Sequence, residues 1–146
     1  MKFALAIIAV LVAVATAATY SEKTAMSALY YCKSAYCTQD PLTSWTCDAC
    51  SYHPNFQIKG VYENATHEMQ AYTGFNPDTG NIVVAFRGSH NIPNWISDLN
   101  FIKTTYPNAN CLGCEVHRGF LEVWQSMQTQ VLPDVQALAN QHPSAE

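Results

Sequence analysis

The sequence has few basic residues, and this scarcity argues against one large class of partners. Lysine and arginine together number 7 in 146 residues, against 11 aspartates and glutamates, which gives a formal net charge of −4 at pH 7. Proteins that bind nucleic acid use a basic face to displace the counterions around the phosphates. A nucleic-acid partner is therefore not expected.

The sequence also lacks a run long enough to span a membrane, and it has no internal repeat or linker-like tract. Its longest apolar stretch, residues 3–15, falls short of the roughly 20 residues that a spanning helix needs. Lys2 precedes this stretch, and the small residues at 15–17 suit a cleavage site. We therefore predict a signal peptide over residues 1–17 and one secreted domain over residues 18–146, with a membrane anchor as the weaker alternative.

The six cysteines all follow this leader, where an oxidising compartment favours disulfide bonds. Two Cys-x-x-Cys pairs also match the spacing seen in zinc sites and in thioredoxin-like redox sites. The pairs are too far apart for a compact zinc ribbon, and a polar loop rather than a buried strand precedes Cys47. Structural disulfides are therefore favoured, and no metal is expected. The six are Cys32, Cys37, Cys47, Cys50, Cys111 and Cys114.

Local bridges within the two Cys-x-x-Cys pairs, Cys47–Cys50 and Cys111–Cys114, are the first expectation for the pairing. Cys32 and Cys37 lie five positions apart and would face different sides of one helix. Their pairing stays open, and one or both would need a partner that this chain lacks.

Periodicity and chain breakers predict alternating helices and strands, and therefore an α/β fold. The β-branched run over residues 82–86 is typical of a strand buried on both faces, so we expect it to be central and joined to the preceding strand by a hairpin across residues 76–80. Pro133 should kink or split the last helix. The predicted elements are a helix over 21–36 capped by Ser21, a loop over 37–54 that is held by cysteines, strands over 57–63, 67–75, 81–86 and 101–106, and helices over 91–100 and 119–140.

A glycosylation sequon, Asn64-Ala65-Thr66, lies between two of the predicted strands. A secreted chain would expose it to the glycosylation machinery, and we expect it to occupy a surface turn. Sequons also arise by chance, so Asn64 is a candidate site whose occupancy stays open.

The strand over residues 81–86 is followed by Arg87-Gly88-Ser89, a segment that offers hydrogen-bond donors at the end of the strand. Glycine at a strand end lets the backbone turn sharply and approach another group closely. Ser89 then offers a backbone N–H and a hydroxyl at the edge of the sheet. An acyl-transfer enzyme needs such donors where negative charge develops on the substrate carbonyl oxygen, so Ser89 is a candidate oxyanion-hole residue.

Residues 91–100 follow this bend and allow two interpretations. Ile92, Trp95, Ile96 and Leu99 form an apolar stripe at helical spacing. The stripe fits an ordinary helix packed on the core. It also fits a mobile amphipathic flap beside the candidate donor.

Four short runs of the chain carry a family resemblance: Trp-Thr-Cys-Asp-Ala-Cys at 45–50, Phe-Arg-Gly-Ser at 86–89, Asn-Trp-Ile-Ser-Asp-Leu at 94–99 and Val-His-Arg-Gly-Phe at 116–120. In their order and spacing the chain resembles the fungal-type triacylglycerol lipases, the class 3 lipase family, over nearly all of the mature chain. The resemblance implies an α/β-hydrolase fold of which this chain carries an incomplete part, and it implies a secreted carboxylic-ester hydrolase of lipid metabolism. The expected partner is a lipid ester at an oil–water interface, with peripheral contact and no cofactor.

The resemblance also implies roles for single residues around the bend. Ser89 matches the oxyanion-hole serine, and residues 89 to about 103 match the lid, a short helix that covers the active site in water. Trp95 matches the lid tryptophan, and Asp98 matches an acidic residue that holds one lid position by hydrogen bonding. The lid positions are His90, Asn91, Ile92, Pro93, Asn94, Trp95, Ile96, Ser97, Asp98 and Leu99.

Three further assignments come from the same resemblance. The Cys47–Cys50 bridge matches a family disulfide, whereas Cys37 matches a cysteine that some members pair with one near the C-terminus, outside this chain. His117 belongs to the Val-His-x-Gly-Phe motif, and we interpret it as structural because the family's catalytic histidine lies much later in the sequence.

The family's catalytic triad is missing from these 146 residues. The chemistry needs a Gly-x-Ser-x-Gly elbow, an acid and a histidine, and Gly88-Ser89-His90 lacks the second glycine. In the family, the strand that leads to the elbow starts just after the position of Pro143. We therefore expect the chain as given to be inactive on esters and to be poorly stable or to aggregate. A truncated lipid- or partner-binding protein and an unrelated cysteine-rich module are the alternatives.

Overall fold

The structure, a computed structural model, describes residues 20–65, 68–88, 102–107 and 110–146. Within these ranges no helix is both long and apolar enough to cross a membrane. The predicted signal peptide lies outside the described residues. The described elements are α1 (Glu22–Ser34), α2 (Gln39–Thr43), a 3₁₀ helix (Asp48–Tyr52), β1 (Gln57–Asn64), β2 (Met69–Asn76), β3 (Asn81–Phe86), β4 (Lys103–Thr105), β5 (Glu115–His117) and α3 (Arg118–Gln141).

Helix α1 begins where its predicted cap lies. The Ser21 hydroxyl accepts a hydrogen bond from the Thr24 backbone N–H at 3.3 Å, which satisfies one of the free donors of the first turn. The helix ends at Ser34, two residues before the predicted end, because the Tyr36 N–H bonds back to the Lys33 carbonyl in a tight turn. Tyr31 lies on the buried face of this helix.

The prediction of a loop over residues 37–54 is wrong in part, because two short helices lie inside it. Helix α2 and the 3₁₀ helix each contain five residues, which is too short to leave a hydrophobic period in the sequence. Trp45, at a φ of 54°, joins them and donates its indole N–H to the His53 carbonyl at 2.7 Å. The segment is therefore compact and folds its tryptophan inward.

The main sheet is antiparallel, in the order β1-β2-β3. The predicted hairpin across residues 76–80 joins β2 to β3, with Asn76 paired to Asn81. The prediction that β3 is central is wrong for the described strands, since β2 holds that place. Val84 and Phe86 of β3 are 38% and 41% exposed. An apolar run indicates that a strand suits burial on both faces, but it does not say which neighbours provide that burial.

Strand β2 lies in the centre although it carries polar side chains, and its buried amides have hydrogen-bond partners. Gln70 donates to the Ala35 and Cys37 carbonyls at 2.9 and 2.8 Å. Asn76 donates to the Tyr31 hydroxyl at 2.6 Å. Such bonds offset the cost of burying the amides, so a strand with a polar sequence can run through the core.

The sheet is covered on both faces, which gives three layers. On one face α1 and the segment after it pack on Tyr72 and Ala85. On the other face Met127 and Val131 of α3 pack on Ala71 and its strand neighbours. This layering confirms the predicted α/β class.

Helix α3 continues through Pro133 as one element, so the expected split does not occur. Proline removes the backbone donor that would bond to the Thr129 carbonyl. Both residues are exposed, and water can take up that carbonyl. The helix starts at Arg118, one residue before the predicted start, because the His117 ring accepts a hydrogen bond from the Phe120 N–H at 3.4 Å and caps it.

Candidate functional site

The candidate site begins where β3 passes into Arg87 and Gly88. The Arg87 N–H donates to the Gln70 carbonyl at 2.7 Å and extends the β2–β3 ladder beyond the last residue of the strand. The Arg87 guanidinium reaches the Glu68 carbonyl at 2.5 Å. These two bonds fix the direction in which the chain leaves the sheet.

Gly88 is placed against the side chain of Tyr36. A Cβ atom at this position would lie 2.6 Å from the Tyr36 hydroxyl oxygen, much closer than real Cβ contacts allow. Glycine therefore permits the close approach, and the group it approaches is the tyrosine that follows α1. Sequence reasoning missed Tyr36, because a half-exposed aromatic after a helix carries no pattern that marks it.

Ser89 and the lid positions 90–99 lie outside the described residues. Their assignments as oxyanion donor and lid remain predictions. The structure describes the chain again from Ile102, whose carbonyl accepts the Arg118 N–H at 2.9 Å. The ends of the undescribed segment are thus tied to β3 on one side and to the start of α3 on the other.

Exposed apolar side chains flank both ends of this segment. Phe86 lies at the end of β3 with its ring edge toward Trp124, at a centroid distance of 6.4 Å. Phe120 in the first turn of α3 and Ile102 before β4 are also exposed. Each of these three side chains leaves apolar area open to contact with other apolar groups.

The cysteines fall into three classes. The structure contains both local bridges, with Cα–Cα distances of 5.0 Å for Cys47–Cys50 and 5.5 Å for Cys111–Cys114. Cys32 is a free thiol on the surface, and Cys37 is a free thiol that is half-buried. The Cys37 sulfur lies close to the Cys47–Cys50 bridge, with all three sulfurs within 4.8 Å of one another.

Asn64 of the sequon ends β1, where it pairs with Met69 of β2. It is half-buried, and the following Ala65 is exposed. Thr66 lies outside the described residues. Glycosylation of Asn64 therefore stays a prediction at a strand end beside a turn.

A buried polar link joins the sheet to α3 on the face opposite α1. The Tyr62 hydroxyl donates to an Asp134 carboxylate oxygen at 2.7 Å and also bonds to the Thr73 hydroxyl at 2.7 Å. Burial raises the pKa of Tyr62 well above its ordinary value, so the phenol stays protonated and remains a donor. This link was not predicted, because the two ends lie far apart in the sequence.

The residue Glu146 begins a parallel pairing with β3. Its carbonyl accepts the Ile82 N–H at 2.8 Å, and its N–H donates to the Gly80 carbonyl at 3.2 Å. One residue that bonds to two residues flanking the same partner is the pattern of a parallel ladder. These two bonds use the outer side of β3 only between Gly80 and Ile82, and the described main sheet remains the antiparallel β1-β2-β3.

Comparison with known proteins now places these features in a family. Residues 83–146 match the family model described as Lipase (class 3), a range that starts in β3 and ends after α3. A lipase of Rhizomucor miehei is 30% identical over 121 residues, which cover 83% of this chain and 32% of that protein. The chain belongs to the fungal class 3 lipase family.

Further relatives agree with this placement. Secreted mono- and diacylglycerol lipase 1 of Fusarium solani is 36% identical over 74 residues, covering 51% of this chain and 22% of that protein. The solved triacylglyceride lipase of Rhizomucor miehei is similar with a TM-score of 0.71 at 26% identity, over 87% of this chain and 49% of that chain. This class 3 lipase chain thus carries part of an α/β-hydrolase fold, and it spans less than half the length of these relatives.

Proposed function

We propose that this chain is the part of a secreted lipase that supplies the oxyanion donor and the lid for hydrolysis of lipid carboxylic esters. The observation that carries the proposal is the close approach of Gly88 to the Tyr36 hydroxyl just after β3, because Gly88 lies in the range that matches the family model. Gly88 directly precedes the proposed oxyanion donor, Ser89.

The proposed role of Ser89 is to stabilise charge, not to attack the ester. Its backbone N–H and hydroxyl would donate to the carbonyl oxygen as that oxygen becomes negative in the tetrahedral intermediate. Donors that are fixed before the reaction stabilise this charge without reorganising. The attacking serine, the acid and the histidine base would have to come from sequence that these 146 residues do not contain, so the chain alone is expected to be inactive.

The pairing of Glu146 supports a site for the missing nucleophile. Strands leading to a nucleophile elbow are buried in the sheet of an α/β-hydrolase. A strand continuing from Glu146 in its parallel register would lie beside β3 and cover the edge that Val84 and Phe86 occupy. It would end next to Gly88, which directly precedes the proposed oxyanion donor.

The proposed lid follows from the apolar stripe of residues 92–99 and from its surroundings. In water the stripe would pack over the site, and at a lipid surface it would turn outward. Burial of one large apolar side chain contributes about 1.5–3 kcal/mol, so a few such residues are enough to shift a two-state element. The exposed side chains of Phe86, Phe120 and Ile102 would give the lid apolar contacts near both ends of the segment.

The proposal also includes secretion of the protein. Residues 1–17 would be removed as a signal peptide, and residues 18–146 would form the secreted part. The two disulfide bridges suit an oxidising compartment, and a Fusarium solani relative is named as a secreted lipase.

A chimera would test the proposal directly. Residues 18–146 of this chain would replace the aligned segment of the Rhizomucor miehei lipase, which supplies the rest of the enzyme. We expect hydrolysis of an emulsified triacylglycerol that exceeds hydrolysis of a water-soluble ester. The Ser89→Ala change should lower kcat by about 10²–10³-fold, because one oxyanion donor is lost.

A matched serine variant in the proposed lid is the control for Ser89→Ala. Ser97→Ala removes a hydroxyl from the proposed lid and should leave kcat within about threefold, because this hydroxyl makes no bond to the oxyanion. A chimera that melts cooperatively but keeps full activity after Ser89→Ala would contradict the oxyanion assignment. Lipid binding by a folded chimera without any hydrolysis would favour the non-catalytic alternative.

A further inference from the structure

Two bridges of identical spacing have different surroundings in this chain. The Cys47–Cys50 bridge has a third sulfur beside it, since the Cys37 sulfur and both bridge sulfurs lie within 4.8 Å of one another. In the described part of the chain no comparable group surrounds the Cys111–Cys114 bridge. A free thiol so close to a disulfide is a potential nucleophile toward it.

The backbone of Cys37 is held in place, so its thiol is presented at a fixed position. Its N–H donates to the Ser34 carbonyl at 3.0 Å, and its carbonyl accepts from the buried Gln70 amide at 2.8 Å. The bridge is also held, with the Cys50 N–H donating to the Cys47 carbonyl at 2.9 Å. A rotation of the Cys37 side chain is therefore the main motion needed for contact between sulfurs.

We propose that Cys37, Cys47 and Cys50 form a thiol–disulfide exchange site, in which Cys37 attacks the neighbouring bridge. The Cys37 thiol loses its proton to water, and the thiolate forms a new S–S bond. The Cys47–Cys50 bond breaks, and the leaving sulfur keeps the electron pair and takes up a proton. The number of disulfides does not change, so the exchange needs no oxidant. The site does not depend on the proposed lipase activity.

The surroundings of the two bridge sulfurs favour one product. Cys47 is 9% exposed and Cys50 is 1% exposed, so a leaving thiolate is better solvated at Cys47. We therefore expect attack at Cys50, giving a Cys37–Cys50 bridge and a free Cys47. This bridge would tie the end of α1 to the 3₁₀ helix.

The charges around Cys37 set how the exchange depends on pH. Burial and the Asp48 carboxylate raise the pKa of the Cys37 thiol, and the Lys33 ammonium opposes them in part. The Tyr72 phenol of β2 also lies near enough to interact with the Cys37 thiol. Because the thiolate is the attacking species, the exchange rate should rise steadily from pH 7 to 9, by at most about tenfold per pH unit.

Alkylation and disulfide mapping of the whole chain test this site. The protein, purified without reductant, is treated with iodoacetamide at pH 7, 8 and 9 and digested, and its peptides are mapped by mass spectrometry. We expect alkylation at Cys47 as well as at the two free thiols, together with a Cys37–Cys50 linked peptide. The Cys111–Cys114 bridge, which is more exposed, should stay intact.

Two variants separate exchange within the chain from other sources. Cys37→Ser should abolish alkylation at Cys47 and Cys50, whereas Cys32→Ser should leave it unchanged, and the rate should not depend on protein concentration. If Cys37→Ser weakens the fold, alkylation of the two bridges in the wild-type protein can still be compared, and this comparison tests the proposal. Alkylation confined to Cys32 and Cys37 up to pH 9, or equal scrambling of both bridges, would overturn the proposal.

Discussion

The two faces of the main sheet differ in how completely their side chains are buried. On the α1 face, Tyr31 and Tyr72 are buried, and the Tyr72 hydroxyl donates to the Tyr31 carbonyl at 2.8 Å. Rings crowd this face, with Phe56 in contact with both Tyr31 and Trp45. The core on this side is closed by residues that the structure describes.

The α3 face is closed only near β1 and β2. Tyr62 and Ala71 are buried against Met127 and Val131, but Val84 and Phe86 at the β3 end of the same face are exposed. Within the described residues, β3 thus leaves apolar surface uncovered on the face where β1 and β2 are closed by α3. The α1 face should therefore dominate the stability of this chain, and the β3 side should dominate its association.

Truncation of Tyr72 should have the largest effect. Its ring is fully buried and packs against Phe56 and Trp45. Tyr72→Ala leaves a cavity and removes a hydrogen bond to the Tyr31 carbonyl, so we expect a loss of about 3–5 kcal/mol in the free energy of unfolding. Urea unfolding followed by circular dichroism measures this.

The comparison with the other face supplies the control for Tyr72. Phe120→Ala removes a ring that is mostly exposed, and it should change the free energy of unfolding by less than about 0.5 kcal/mol. Equal losses for the two variants would show that the α1 face does not dominate stability.

Asn76 should come second. It is buried, donates to the Tyr31 hydroxyl at 2.6 Å and accepts from the Asp78 N–H at 2.9 Å. Asn76→Ala would remove the donor to the buried Tyr31 hydroxyl and the acceptor of the Asp78 N–H, with an expected cost of about 1–3 kcal/mol. Asn55→Ala, which breaks an exposed amide–carboxylate contact to Asp78, is the matched control and should cost less than about 0.5 kcal/mol. A larger loss from the Asn55 change would contradict the importance of burial.

The third prediction concerns alkaline pH and the Tyr62 link on the α3 face. The folded state holds the pKa of Tyr62 above its ordinary value of 10.0, so the unfolded chain releases this proton first as pH rises. The associated stability is therefore complete below about pH 10 and is lost at higher pH. Tyr62→Phe should cost about 0.5–1.5 kcal/mol at pH 7, and it should flatten the decline above pH 10.

Free energies of unfolding at pH 7, 9 and 11 test the Tyr62 prediction. The exposed Tyr52→Phe is the control, and it should keep both the neutral-pH stability and the wild-type decline. Other buried tyrosines share the alkaline effect, since burial also raises the pKa of Tyr31 and Tyr72. An unchanged slope in Tyr62→Phe would contradict the role of its bond to Asp134.

Much of this fold could be predicted from the sequence, where a pattern is local. The Ser21 cap, the hairpin across residues 76–80 and the long α3 all follow from residues close together in the chain. The class 3 lipase family could also be predicted, because its motifs keep their order and spacing. These signals need no knowledge of distant contacts.

The failures concern contacts between distant parts of the chain. The central place of β2 depends on partners that lie on α1 and after it, which satisfy Gln70 and Asn76. The approach of Tyr36 to Gly88 and the bond from Tyr62 to Asp134 likewise join separate segments. No periodicity in one segment reports such pairs, so sequence reasoning finds the three strands of the main sheet but not their neighbours, and it misses the three-residue β5.

The smallest effect on stability, and the clearest effect on association, should come from the edge of β3. Val84 lies on the exposed part of this strand, beyond the Glu146 pairing at Ile82. An apolar edge strand is a template for pairing with another chain, and a lysine there opposes such pairing. We expect the wild-type chain to self-associate at micromolar concentration and Val84→Lys to shift it toward the monomer.

Sedimentation velocity over a concentration series measures this shift, and a second exposed apolar residue sharpens it. Leu112→Lys removes a fully exposed leucine from the turn between β4 and β5, away from the edge of β3. If general hydrophobicity drove association, this change would act as strongly as Val84→Lys; if the edge drives it, Leu112→Lys leaves association unchanged. A wild-type chain that stays monomeric with a sharp cooperative melt would mean that β3 needs no further neighbour, and the proposed place of the nucleophile strand would lose its structural support.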